Sequence, residues 1–195
     1  MQVWNYSGGG TGNRARYDNT CEWALGPGIN AMKTLLLLRH AKSTSTDGKF
    51  ADFDRPLSDR GRAEAGLIAG YIRQQTMPLD FVLSSPAARA RETTEAVLHS
   101  AELRIAARHD ERIYEATPLS LLEVVSELDD DRKTVLLVGH NPGMEELLGL
   151  LTGHPDHMSP AALAKIEVET ENWNALAEST CKLVWMINAR ELSSS

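Results

Sequence analysis

The sequence predicts an α/β fold with three layers, helices lying on both sides of a mostly parallel central sheet. Three observations carry this expectation. Residues 35–38 and 135–138 are unbroken apolar runs, as for strands buried on both faces. Between such runs lie segments whose apolar residues recur at helical spacing. Both runs stop abruptly, in Leu38-Arg39-His40-Ala41 and in Val138-Gly139-His140-Asn141-Pro142, where an open α/β sheet binds its ligands.

Residues 1–31 differ from the rest. Gly8-Gly9-Gly10-Thr11-Gly12-Asn13 and Gly26-Pro27-Gly28 interrupt any periodicity. We expect the folded domain over 32–192, with 1–31 a disordered extension or a start-site artefact and 193–195 a tail. A rival reading, an interaction arm anchored by Trp4, Tyr17 and Trp23, stays open.

From Met32 onward strands and helices alternate. The first strand is expected over 34–38. Ser58 is placed to cap a helix whose buried face is Ala65, Ile68, Ala69 and Ile72. A short strand follows at 80–83. Ser85-Pro86 then opens a second helix, serine as cap and proline at the first position, with Ala90, Thr94, Val97 and Leu98 facing inward. Strand character returns at 104–107. Pro118 starts a helix with the stripe Leu121, Val124, Val125 and Leu128, and the acidic turn Asp129-Asp130-Asp131 ends it. After the strand at 134–138, Asn141-Pro142 repeats the cap-and-proline start before Met144, Leu147, Leu148 and Leu151. The pattern then changes: 165–169 alternates, 182–187 is another strand, and a short piece lies between them at 173–176. One antiparallel edge is expected there.

Composition narrows the function classes. At 195 residues the chain is long enough to bury a core without staples, and 42% hydrophobic with 6% aromatic content is ordinary for a globular protein. No apolar run reaches bilayer-spanning length and no signal peptide is visible, so a cytoplasmic protein without membrane contact is expected. Cys21 and Cys181 lack metal-ligand spacing; a reducing compartment is the simpler reading, and a bridge between them stays open. A net charge of −7 argues against nucleic-acid binding. It also means that a phosphate-bearing substrate has to be attracted by local arginines.

The chemistry sits at the strand ends. A neutral imidazole is a competent nucleophile near pH 7 and can accept a phosphoryl group. The transferring phosphoryl spreads charge over its equatorial oxygens and needs fixed cations or N–H donors around it. Arg39 beside His40, Arg89 just after Ser85-Pro86, and His140 supply such a set. The helix start near Pro142 adds the positive end of a dipole. Taken singly, each residue reads better as a strand-end cap or a solvated ion-pair partner; the four together favour a site.

Leu38-Arg39-His40-Ala41-Lys42-Ser43 resembles the first motif of the histidine phosphatase (phosphoglycerate-mutase-like) superfamily. Ser84-Ser85-Pro86-Ala87-Ala88-Arg89-Ala90-Arg91-Glu92-Thr93 resembles its second signature and Val138-Gly139-His140-Asn141 its third. The stretch from Asp52 to Gly61 is similar to the link between the first two. The resemblance implies a phosphoglycerate-mutase-like fold, His40 as the phosphorylated nucleophile, and Arg39, Arg89 and His140 as the phosphate pocket. Ser43 matches a phosphate-side hydroxyl, or is a plain loop serine. Glu115, in Ile113-Tyr114-Glu115, matches the proton donor of ester-cleaving members, or is a solvated carboxylate. No cofactor and no metal are implied.

The form Arg-His-Ala-Lys-Ser and the compact length look most like the SixA-type branch. That implies a metal-independent phosphatase, monomeric, acting on phosphohistidine in a phosphorylated protein. A small phosphoester is the alternative substrate, and a phosphate-binding module without turnover is the alternative from another class. Mutases carry Gly-Glu at the places of Ala41 and Lys42, and Trp-Asn at those of Ser45 and Thr46. The departures point away from mutases, and the missing cap insertions imply an open site. Elsewhere, His99 and His109 read as surface residues and His154-Pro155-Asp156-His157 as a loop. Trp173 and Trp185 read as packing.

Overall fold

The computed structural model describes residues 32–45, 48–153 and 155–193. The expectations for 1–31, with Cys21 and the aromatic arm, lie outside the described residues, as do Thr46, His154 and the last two residues of the tail. Strands are β1 (Met32–Arg39), β2 (Phe81–Ser84), β3 (Ala107–His109), β4 (Thr134–Gly139), β5 (Leu163–Glu169) and β6 (Thr180–Ile187). Helices are α1 (Asp59–Gln74), α2 (Ala88–Ser100), α3 (Pro118–Ser126), α4 (Gly143–Thr152) and the short α5 (Ala189–Leu192). Single 3₁₀ segments occupy Asp52–Asp54, Glu111–Ile113 and Trp173–Glu178.

The strands form one six-stranded sheet in the order β3-β2-β4-β1-β5-β6. The pairs β1–β4, β2–β4 and β2–β3 are parallel, whereas β5 is antiparallel to both β1 and β6. The reversed strand therefore lies one place in from the edge. β6, paired antiparallel to it, runs the same way as β1.

Alternation along the central strands builds the layers. Leu35 and Leu37 of β1, with Val135 and Leu137 of β4, pack on one face against Leu121, Val124, Met144 and Leu147 of α3 and α4. Leu36 and Leu38, with Leu136 and Val138, pack on the other face against Ala65, Ile68, Val97 and their neighbours on α1 and α2. All eight strand residues are fully buried. Each such side chain contributes about 1.5–3 kcal/mol relative to leaving it in water. A strand buried on both faces cannot show polar alternation, which is why these runs read as continuous.

Helix starts follow local chemistry with two corrections. The Ser58 hydroxyl accepts the Gly61 N–H (3.1 Å) and caps α1. Thr117 caps α3 by accepting the Ser120 N–H (3.2 Å), with Pro118 in the first turn. However, α2 begins at Ala88 rather than at Pro86, and α4 begins at Gly143 with Pro142 at the cap position. Both expected caps have partners besides the helix. The Ser85 hydroxyl accepts the Ala87 N–H (3.3 Å) but also pairs with the His140 ring, and the Asn141 amide donates to Glu145 and to the Met158 carbonyl. The strand expected at 104–107 lies at Ala107–His109, because its register is set by pairing with the end of β2; Leu103 and Ile105 pack onto the α1–α2 core instead.

The acidic turn after α3 also does more than meet solvent. Asp130 accepts the Trp173 N–H (2.8 Å), and its carbonyl accepts from the buried Lys33 ammonium (2.8 Å). Trp173 is fully buried and donates its indole N–H to Arg132.

Candidate active site

Parallel pairing of β1 and β4 brings the two strand-end histidines together. Arg39 lies opposite Gly139, so His40 and His140 leave the sheet in step, and the His40 N–H donates to the Gly139 carbonyl (3.0 Å). Their ring centroids are 5.0 Å apart. β2 ends alongside: the Ser85 N–H bonds the Val138 carbonyl (3.0 Å), and the Ser85 hydroxyl shares a 2.8 Å hydrogen bond with His140 Nε2. Arg89, in the first turn of α2, is 5% exposed and completes the group. Arg39, His40, Arg89 and His140 line one cavity of about 280 Å³, together with Lys42, Ser43, Arg55, Asn141 and Pro160.

The loop after His40 is held from several sides. The Thr93 hydroxyl donates to the Arg89 carbonyl (2.6 Å) and accepts the Ala41 N–H (3.0 Å), tying the loop to α2. Both the N–H and the hydroxyl of Ser58 donate to the Lys42 carbonyl (2.9 Å each). Gly61 lies so close under this carbonyl that a Cβ there would stand 2.9 Å from its carbon and nearer still to its oxygen. Glycine is needed there for close approach. The same holds at Gly143, where a Cβ would run into the Ala116 carbonyl.

This geometry fixes the state of His40. Its Nδ1 lies 2.8 Å from the Ala41 carbonyl, which can only accept, so Nδ1 carries the proton and Nε2 keeps its lone pair. Burial is the largest influence on its pKa, which is lowered to about 4. Arg89, Arg39 and Arg55 push the same way, and the Ala41 hydrogen bond opposes them. His140 is lowered further, to about 3, by burial first and then by His40 and Arg89. Both rings are neutral at pH 7.

The cations are held without being used up. Arg39 donates from Nη1 to the Met158 carbonyl (2.7 Å). Arg89 donates from Nη1 to the Asp52 carbonyl and from Nη2 to the Asp52 carboxylate (3.0 Å). The nitrogens Arg39 Nε, Arg89 Nε and His140 Nδ1 are buried with no hydrogen-bond partner. Buried donors left unpaired cost about 1–3 kcal/mol each. Arg39 and Arg89 both line the cavity, so an oxyanion bound there meets their positive charge.

Several residues of the site carry no sequence signal of their own. Asp52 takes Arg55 through one oxygen (Nε 3.0 Å, Nη2 2.8 Å) and Arg89 and the Tyr114 hydroxyl (2.9 Å) through the other. Burial alone would raise its pKa, but the Tyr114 hydroxyl and the two arginines outweigh that and hold it below the usual carboxylate range. The Tyr114 ring meets His140 edge-on at 5.5 Å. Arg55 also donates from Nη1 to the Ser43 hydroxyl (3.2 Å) and the Thr44 carbonyl (3.0 Å). Asp52 and Arg55 fall inside the stretch that resembles the family's link, and Tyr114 stands beside Glu115, but neither segment marks their roles.

Of the residues singled out in the sequence, Arg39, His40, Ser43, Arg89 and His140 are thus brought to one cavity. Glu115 is not among its lining residues; it is exposed and has a left-handed backbone (φ 50°). The first-turn N–H groups of α4 are not all available to an anion, since that of Met144 bonds the His140 carbonyl (3.1 Å). His157 pairs with Glu145 (2.7 Å). Among the described residues no helix is long and apolar enough to cross a membrane.

Comparison with known proteins gives this arrangement a context. The profile of the histidine phosphatase superfamily (branch 1) matches residues 35–117. The uncharacterized protein Rv1276c of Mycobacterium tuberculosis is 44% identical over 105 residues, 54% of this chain and 63% of that protein. The chain thus matches less than two thirds of that relative's length. Among solved structures, one assigned as the phosphohistidine phosphatase SixA of Nakamurella multipartitia superposes with a TM-score of 0.71. It is 25% identical, covering 80% of this chain and 96% of the other. A second SixA, assigned likewise in Agrobacterium tumefaciens, gives a TM-score of 0.68 at 29% identity, covering 80% and 97%. With its two strand-end histidines and flanking arginines in that fold, the chain belongs to the histidine phosphatase superfamily, on the SixA-like branch.

Proposed function

We propose that this protein is a phosphatase that works through a phosphohistidine intermediate on His40, with phosphohistidine in a protein as its substrate. The observation that carries the reading is the state of His40: a neutral ring, proton fixed on Nδ1 by the Ala41 carbonyl, among Arg39, Arg55 and Arg89. In the first half-reaction Nε2 attacks phosphorus, and the pair of electrons in the broken P–N bond leaves with the substrate nitrogen. Arg39 and Arg89 meet the charge on the equatorial oxygens, with His140 beside them. In the second half-reaction water attacks phospho-His40, inorganic phosphate departs, and the imidazole lone pair is restored.

A nitrogen leaving group suits this site. Cleavage of an alkyl ester needs an acid to protonate the alkoxide, and Glu115, the carboxylate expected for that role, does not line the cavity. An imidazole is a far weaker base than an alkoxide, so it departs with less help. The SixA neighbours, assigned as phosphohistidine phosphatases, support the same substrate class. No step of this scheme requires a metal ion.

Brief incubation with a radiolabelled phosphodonor is expected to leave an acid-labile, base-stable label that is absent from His40→Ala. Values of kcat/KM for a phosphohistidine protein should exceed those for a panel of sugar phosphates, with and without EDTA. Full hydrolytic activity in His40→Ala would overturn the mechanism. A preference for sugar phosphates would overturn the substrate.

A further inference from the structure

Phe50 and Phe53 are left 47% and 40% exposed, on either side of Asp52, which bonds the cavity-lining Arg55 and Arg89. They are the only aromatic residues among the large hydrophobic side chains exposed in the described chain; the others are Met32, Leu119, Leu150 and Val184, none of them on this segment. Burying a phenylalanine is worth about 1.5–3 kcal/mol, so two on one short segment leave much apolar surface in water. The segment is also fixed in place. Asp52, between them, is held by Arg89, Arg55 and Tyr114. The Phe53 ring meets Tyr114 edge-on at 5.1 Å, and Tyr114 in turn meets His140 at 5.5 Å. A line of rings therefore runs from solvent through Phe53, Tyr114 and His140 to His40.

We propose that Phe50 and Phe53 form the docking rim for the polypeptide around the phosphorylated residue, receiving apolar side chains that flank it. This rests on the protein-phosphohistidine reading above. Two physical points single out this occupant. The segment adjoins the cavity through Asp52, bonded to Arg55 and Arg89, and through Phe53 and Tyr114 to His140, so a chain that inserts its phosphoryl group has this segment at its side. The net charge of −7 opposes the approach of a phosphorylated, acidic partner, leaving short-range apolar contact to supply affinity once the arginines have captured the phosphate. Aromatic residues at the centre of an interface characteristically carry most of its binding energy.

The test is the double variant Phe50→Ser/Phe53→Ser, assayed on a phosphohistidine-bearing protein and on p-nitrophenyl phosphate. Its KM for the protein is expected to rise on the order of tenfold or more. Its kcat/KM for p-nitrophenyl phosphate should stay at the wild-type value. Phe50→Leu/Phe53→Leu, which keeps apolar area, should retain most of the protein affinity and guards against a folding defect in the serine variant. An unchanged protein KM, or an equal loss on both substrates, overturns the inference. So does a wild-type dimer that the serine variant dissolves, because a second copy would then cover the rim. A wild-type enzyme that cleaves p-nitrophenyl phosphate but not the phosphohistidine protein overturns instead the reading on which it rests.

Discussion

Replacing Gly61 by alanine adds a single methyl group, yet the structure places that methyl against the backbone of the loop that follows His40. The new Cβ would stand 2.9 Å from the Lys42 carbonyl carbon and 3.0 Å from its nitrogen, and closest to the oxygen. Ordinary contact requires the oxygen to withdraw by on the order of 1 Å. The carbonyl cannot swing aside alone, because both Ser58 donors hold it at 2.9 Å and Ala41 before it is bonded to Thr93. The shift is therefore passed to Ala41, whose carbonyl fixes the His40 tautomer. A misplacement of about 1 Å at a reacting group costs roughly 100-fold in rate. Overpacking of this kind costs about 1–3 kcal/mol of stability. Gly61→Ala should therefore lower kcat/KM for p-nitrophenyl phosphate by one to two orders of magnitude while the protein still melts cooperatively. Gly66→Ala, on the same helix where a Cβ meets nothing within 4 Å, is the control and should be silent. Wild-type turnover in Gly61→Ala would refute the claim that this close approach sets the loop.

Two more outcomes follow from the site's electrostatics and hydrogen bonds. Both imidazoles titrate lower in the folded protein, at about 4 for His40 and about 3 for His140, than at the ordinary 6.5, so the unfolded chain binds more protons below 6.5. The stability they contribute is complete above that value and declines as the pH falls toward the folded values. Between pH 6.5 and 5 the pair should cost roughly 1–3 kcal/mol, or about 3–10 °C in Tm; a melting temperature flat over that window would contradict the assigned neutral state. Glu145 collects the Asn141 amide (2.6 Å), the Met158 N–H (2.8 Å) and His157 on one oxygen, and the Met158 carbonyl holds Arg39. Glu145→Ala should raise the Ki for inorganic phosphate about tenfold, since a hydrogen bond to a charged group is worth about 1.5–3 kcal/mol. Glu145→Gln should recover most of that loss.

How far the sequence could be read depended on the kind of force at work. Continuous apolar runs identify β1 and β4 because burial on both faces leaves a signal in every residue. Ser58 is legible as a cap because its partner lies three residues away. Ser85 and Asn141 look the same in sequence, yet each also bonds a group farther along the chain, His140 in one case and the Met158 carbonyl in the other. Local chemistry cannot anticipate that competition. The same limit hides the Asp52 cluster, which joins Arg89 and Tyr114 across 37 and 62 positions in loops that have no period. The reversed β5 is a question of strand order, and the alternating stretch at 165–169 shows only that a partly exposed strand lies there. The histidines and arginines of the site stood out because they interrupt strands and open helices, where composition changes sharply.

The pairing that sets Arg39 opposite Gly139 makes the proposed catalytic group a reporter on assembly. Side chains alternate between faces along a strand, so a slip of one residue between β1 and β4 would turn every leucine of the slipped strand toward the wrong helices. The same slip would carry His40 and His140 out of step by one strand rise, about 3.3 Å. Compactness or helix content would hardly register such an error, whereas phosphoryl transfer would. Turnover per molecule therefore counts correctly registered chains, and recovery of specific activity after denaturation measures the fidelity of refolding rather than its extent.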